Sequence, residues 1–122
     1  MKAVLIVEDS NVTRSMIRSI VEDLGDVTTV EASTGFEALR LLPSQRFNLI
    51  VTDINMPDIN GLELINFVRN DERYRDTPML IVSTEKTEED RKRGLALGAN
   101  DYVTKPFSPE RLQEAVKRLL GI

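Results

Sequence analysis

An open α/β sheet of parallel strands with helices on both faces is the fold this sequence predicts, and three observations predict it. Short continuous apolar runs recur along the chain, helix-period patterns lie between them, and the two alternate without a linker. Right-handed crossovers then put a helix between successive strands. At 122 residues and 41% hydrophobic, the chain is expected to form one domain, residues 1–122, around one sheet.

The elements follow in order. Residues 3–7, AVLIV, are continuously apolar, the mark of a strand covered on both faces. Met16, Ile17, Ile20, Val21 and Leu24 share a helical face, and Gly25 is a suitable stop. Residues 27–32, VTTVEA, mix threonine with valine and read as an edge strand. Thr34 followed by Glu37 reads as a capping box opening a second helix, which Pro43 closes. Residues 49–52, LIVT, make another buried strand, and Leu62, Ile65 and Val68 give the third helix its apolar side. After the strand at 79–82, MLIV, the segment TEEDRKRGLALGA forms a polar helix, with Leu95 and Leu97 as its expected anchors. Residues 101–104, DYVT, are the fifth strand; Ser108 caps the last helix, Pro109 opens it, Leu112, Val116 and Leu119 line it, and Gly121 ends it.

Composition removes several classes of function. The formal net charge is −4 and the Lys and Arg residues are scattered, so the concentrated basic face that nucleic acid requires is missing. There is no cysteine for disulfides or thiolate chemistry. The absence of histidine removes Ser-His and Cys-His arrangements, most zinc sites and any imidazole base. The N-terminal MKAVLIVED reaches acidic residues too soon for a signal peptide or a membrane span, so a cytoplasmic protein with no membrane partner is expected.

The stretch FNLIVTDINMPDINGLELI places Asp53 at the end of a buried strand. Ligands in open α/β sheets bind outside the carboxyl ends of the strands. Strand one ends in Glu8 and Asp9, strand three in Asp53, strand four in Ser83 and Thr84, and strand five in Lys105. Each has a plain structural use: Asp9 or Ser10 as a helix cap, Asp53 in an Asx-turn, Ser83 or Thr84 in a loop, Lys105 as a solvated charge. If strand one lies beside strand three, however, three carboxylates converge, and like charges about 4 Å apart repel by roughly 1 to 4 kcal/mol per pair. Such a cluster calls for a cation, and oxygen ligands without His or Cys suit magnesium.

Four segments, VLIVEDS, VTDINMPDINGLELI, MLIVST and GANDYVTKPF, occur in order over the whole chain. In these the chain resembles the receiver domain of two-component response regulators, the stand-alone chemotaxis type in particular. The resemblance implies a flavodoxin-like, doubly wound five-stranded sheet with five helices. Its strand order, 2-1-3-4-5, is the one known for chemotaxis receivers and is taken from the family. The resemblance makes Asp53 the acceptor of a phosphoryl group from a sensor histidine kinase, with Mg2+ as the cofactor. Asp9 becomes a direct metal ligand, Glu8 one acting through water, and Asn55 a ligand through its backbone carbonyl. Ser83 matches the switch hydroxyl, Lys105 the lysine that pairs with the phosphoryl group, and Tyr102 a half-buried aromatic that turns inward on phosphorylation. A cis Lys105–Pro106 bond is implied as well.

Thr84 departs from the small residue usual after the switch hydroxyl; its branched side chain either narrows the approach to Asp53 or adds a hydrogen bond. The resemblance also implies that Asn55 and Glu85 flank the path of the hydrolytic water. The family promotes only its own phosphorylation and dephosphorylation, so no enzyme acting on other substrates is expected. No DNA-binding segment is expected after Gly121, and output is expected through an unknown protein at the fourth helix, fifth strand and fifth helix, roughly residues 87–99 and 102–120, while the first helix is expected to help dock the kinase.

Other classes fit less well. A flavin module needs a phosphate-cradling loop where EDSNVTRS presents two carboxylates. An aspartate-nucleophile phosphatase wants a second acid at the position of Asn55. The remaining alternative is a receiver-like interaction module that docks without phosphorylation.

Overall fold

A computed structural model describes residues 1–84 and 88–122. Five strands, β1 (Lys2–Val7), β2 (Val27–Ala32), β3 (Leu49–Thr52), β4 (Met79–Ser83) and β5 (Asp101–Thr104), form one parallel sheet in the order β2-β1-β3-β4-β5. Helices α1 (Asn11–Glu22), α2 (Gly35–Leu41), α3 (Gly61–Arg69), α4 (Glu88–Leu97) and α5 (Pro109–Leu120) connect and flank them.

The continuous apolar runs face two cores at once. Leu5, Val7, Ile50, Met79 and Ile81 pack with Ala38, Leu64, Ile65 and Val68 from α2 and α3. Their alternate neighbours Val4, Ile6, Leu49, Val51, Leu80 and Val82 pack with Ile17, Ile20 and Val21 of α1 and Leu112, Ala115 and Val116 of α5. Every residue of β3 and β4 is buried, as a parallel strand covered on both faces requires. Each fully buried Leu or Ile contributes about 1.5–3 kcal/mol of hydrophobic stabilisation. The mixed composition of β2 matches its edge position, where Thr28 is exposed.

The helix boundaries follow local chemistry. Ser10, not Asp9, caps α1, its hydroxyl accepting from Thr13 N–H at 3.3 Å. Thr34 accepts from Glu37 N–H, but the Glu37 carboxylate reaches Ser33 N–H, so the expected box is displaced by one residue. Pro43 lies in a 3-10 turn, Leu42–Ser44, that closes α2. The reciprocal capping box is at α3, between Asn60 and Glu63, where sequence reading had not placed one. Ser108 and Pro109 open α5, and Gly121 ends it at φ +74°. Among the described residues no helix is long and apolar enough to cross a membrane.

Three details differ from the periodicity. Met16 is exposed, because at 100° per residue it falls about 90° from the centre of the stripe formed by Ile17, Ile20, Val21 and Leu24. Leu119 packs against this core but is only half-buried, and Leu120 beside it is the buried residue that completes the α5 contact. On α4 the expected anchors Leu95 and Leu97 are both 38% exposed, and the buried residue is Gly94. A Cβ there would stand 2.5 Å from Ile81 Cδ1, so the helix backbone itself rests on β4.

Gly94→Leu should therefore destabilise the protein by about 1–3 kcal/mol through overpacking, despite the gain of about 1 kcal/mol in helix propensity. Leu95→Ala should stay within about 0.5 kcal/mol. Urea denaturation of both variants checks this; a larger loss in Leu95→Ala would restore the leucine as the anchor.

Candidate functional site

Strand register carries the candidate residues to one rim. Val7 lies opposite Thr52, Thr52 opposite Ile81, and Ser83 opposite Thr104. The next residues outward are Glu8, Asp53, Thr84 and Lys105. The ladder runs one step past the strands: Glu8 N–H donates to Ala32 C=O at 3.0 Å, Asp53 N–H to Val7 C=O at 3.1 Å and Lys105 N–H to Ser83 C=O at 2.8 Å. Each functional side chain thus stands on backbone that the sheet still holds, even though it belongs to a loop.

Carboxylate oxygens of Glu8, Asp9 and Asp53 lie within 4.8 Å of one another. Glu8 is 2% exposed and Asp53 8%, whereas Asp9 faces solvent. Lys105 Nζ donates to Glu8 Oε1 at 2.5 Å and to Asp53 Oδ2 at 3.0 Å. The remaining oxygens are also engaged: Glu8 Oε2 accepts from Ser10 N–H at 3.0 Å and Asp53 Oδ1 from Ile54 N–H at 2.7 Å. The Lys105–Pro106 bond is cis.

Burial pushes the Glu8 carboxyl above its ordinary range; hydrogen bonds from Lys105 and Ser10 N–H pull the other way, and the Asp53 charge adds to the rise. A raised carboxyl stabilises the fold at pH below its ordinary 4.5, and that contribution is lost as pH rises through the shifted value. Lys105 is also raised: burial opposes its charge, but hydrogen bonds to Glu8 and Asp53 outweigh that. Its contribution is present below the ordinary 10.5 and lost as pH rises beyond the raised value.

The loop after Asp53 is drawn tight by Gly61, the first residue of α3. Gly61 N–H donates to Ile54 C=O at 2.8 Å, and a Cβ at this position would lie 2.0 Å from Asp53 C=O. Sequence reading assigned Gly61 no part in the site, although a glycine directly after a helix-capping Asn60 signals a close approach. Asn55 is exposed two residues beyond Asp53.

Ser83 is fully buried at the end of β4, while Thr84 turns outward and is exposed. Tyr102, expected half-buried, is 3% exposed and belongs to the core on the α3 side of the sheet. The reason is Gly94 again: a Cβ there would stand 3.9 Å from the Tyr102 ring, so α4 comes close enough to cover it. Glu85, expected beside the water path, lies outside the described residues, as does Thr87 at the start of the expected fourth helix.

The donor set fits a hard divalent ion. Three clustered carboxylates face one ammonium, and the chain offers no imidazole or thiolate to favour a softer metal.

Comparisons with known proteins agree with this geometry. The family model described as response regulator receiver domain matches residues 4–117. A chemotaxis protein CheY homolog of Campylobacter jejuni is 38% identical over 118 residues, covering 96% of this chain and 91% of the relative. Chemotaxis protein CheY of Pseudomonas aeruginosa is 38% identical over 116 residues, covering 95% and 94%. The crystal structure of chemotaxis protein CheY4 of Vibrio cholerae superposes with a TM-score of 0.90 at 37% identity, covering 98% of each chain.

The excess of negative charge gives a test with a change of sign. Without divalent ions, Asp9→Asn should stabilise the protein by a few tenths to about 1 kcal/mol, the scale of a solvent-screened charge pair. In millimolar Mg2+ the wild type should gain more stability than the variant, because binding to the folded state adds RT ln(1 + [L]/Kd). Thermal denaturation with and without MgCl2 reads both effects, and equal Mg2+ stabilisation of the two proteins would remove Asp9 from the ligand set.

Proposed function

Since the chain belongs to the response regulator receiver family, we propose that it is a phospho-accepting receiver in two-component signal transduction, with Asp53 taking a phosphoryl group from a phosphohistidine of a sensor histidine kinase. The observation that carries this reading is the Lys105 ammonium bonded to both Glu8 and Asp53, with the Asp9 carboxylate beside them. Asp9, Asp53 and the Asn55 carbonyl would hold Mg2+, and Glu8 would act through water. The bound ion would supply positive charge for the phosphoryl oxygens.

The chain's own residues account for the rest. An Asp53 carboxylate oxygen forms the new bond to phosphorus as the phosphorus–nitrogen bond breaks, and the departing imidazole nitrogen keeps the bonding pair. Ile54 N–H holds one oxygen of that carboxylate, and the Gly61 approach holds the Asp53 backbone that carries it. Lys105 exchanges a carboxylate contact for a phosphoryl oxygen, which moves its charge little and so costs little reorganisation. Asn55, exposed two residues beyond the buried acceptor, would admit the hydrolytic water, which supports a short-lived phosphoryl state. The protein promotes only its own phosphorylation and dephosphorylation.

Ser83 is the hydroxyl that gains a phosphoryl acceptor, a bond present in one state only, and such a difference shifts a two-state equilibrium. The buried Tyr102 is the position this bond would favour, and the face of α4, β5 and α5 would present the result to a downstream protein. Docking without phosphorylation is less well supported, since a pure docking face has no use for three crowded carboxylates and their ammonium.

Asp53→Asn should abolish acid-labile phosphate incorporation from a small phosphodonor with Mg2+; labelling at the wild-type level would sink the assignment. Ser83→Ala should still accept phosphate, yet lose about tenfold or more of phosphorylation-dependent partner binding, since one charge-assisted hydrogen bond is worth roughly 1.5 to 3 kcal/mol. Tyrosine NMR with and without a phosphate mimic follows the coupling, and an identical Tyr102 response in both proteins would break it.

A further inference from the structure

Residues 53–60 join β3 to α3 and carry the acceptor's nearest neighbours. One end of this loop is set by Gly61 against the Asp53 carbonyl. Its middle is tied to a different helix. Asp58 Oδ1 accepts from Gly35 N–H at 3.0 Å and Oδ2 from Phe36 N–H at 2.8 Å, the first two amides of α2. The two elements also meet without room to spare, since a Cβ on Gly35 would lie 2.8 Å from both Cβ and the carbonyl oxygen of Ile59.

We propose that Asp58 is a positioning residue: by tying the acceptor loop to the N-terminus of α2, it holds Asn55 and the Asp53 carboxylate in the arrangement that binds the divalent ion. The proposal rests on the phospho-acceptor reading given above. Helix capping alone does not account for the tie, because α2 already has a local cap in Thr34, whose hydroxyl accepts from Glu37 N–H at 3.0 Å. A second cap supplied from 22 and 23 residues away adds what a local cap cannot, a fixed place for the loop. Asp58 is exposed, and burial pushes its carboxyl up only to be outweighed by hydrogen bonds from Phe36, Ile59 and Gly35 N–H, which hold it below the ordinary range. The anionic form that makes both bonds therefore persists throughout the neutral range. Neither bond reaches the metal ligands directly, so the effect on them passes through the backbone of residues 54–57.

The experiment compares the wild-type chain with Asp58→Ala, Asp58→Asn and Thr34→Ala. Calorimetric titration with Mg2+ alone should show about tenfold weaker binding in Asp58→Ala, on the scale of lost outer-shell support. Asp58→Asn keeps one acceptor oxygen and should lose less, a partial rescue. Thr34→Ala weakens α2 without cutting the tie and should stay within about twofold of wild type. Amide exchange at Gly35 and Phe36 should quicken in Asp58→Ala. Wild-type Mg2+ affinity in Asp58→Ala overturns the proposal, and so does an equal loss in Thr34→Ala, which would trace the effect to helix stability. If Asp58→Ala does not fold, the comparison of Asp58→Asn with Thr34→Ala carries the same decision. A wild type that binds Mg2+, loses it on Asp58→Ala and yet takes no phosphate from acetyl phosphate supports the tether and overturns the phospho-acceptor reading instead.

Discussion

The Lys105 ammonium lies between the carboxylates of Glu8 and Asp53, and much of the molecule is arranged so that this contact can exist. Two acids so far out of solvent would be costly side by side, and Asp9 adds a third charge at the rim. One lysine does not balance them. The sheet favours the crowding by extending its hydrogen-bond ladder through Glu8, Asp53 and Lys105, which fixes the backbone positions from which the three side chains reach one another. A site built this way is receptive to a divalent cation and, after it, to an anionic group with oxygens to share. Affinity for those proposed partners would arise from an electrostatic imbalance that the hydrophobic cores on both faces of the sheet oblige the protein to keep.

Close approaches of backbone to backbone or to side chain do the fine positioning. Gly61 brings α3 onto the Asp53 carbonyl, Gly35 brings α2 onto Ile59, and Gly94 brings α4 onto Ile81 beside the Tyr102 ring. The first two act on the loop that follows the acceptor. The third acts on the strand pair carrying Ser83 and Tyr102, and it leaves Leu95 and Leu97 on the surface. A helix resting on its backbone has few interlocking side chains to hold it, so the α4 contact is better suited to adjustment than the well-packed α1 and α5 contacts on the opposite face. That asymmetry fits the proposal that α4 belongs to the output face.

Sequence alone determined the alternation of strands and helices, the caps at Ser108 and Thr34, the stop at Gly121, and the set of acids, hydroxyls and lysine that follow the strands. These are local properties: an apolar run buried on both faces, a capping side chain or a left-handed glycine leaves its mark within a few residues. Strand order came from family resemblance, because no local pattern states which strand lies beside which. Only the tertiary structure decided that Lys105 meets Glu8 across 97 residues and Asp53 across 52. It also decided that Gly94 and not its leucines carries α4, that Tyr102 is covered, and that Asp58 reaches back to α2. Periodicity records which side of an element avoids water, but not how near another element can come. That distance depends on the volume of side chains contributed by both partners, and a missing Cβ becomes informative only when the atom that would strike it is known.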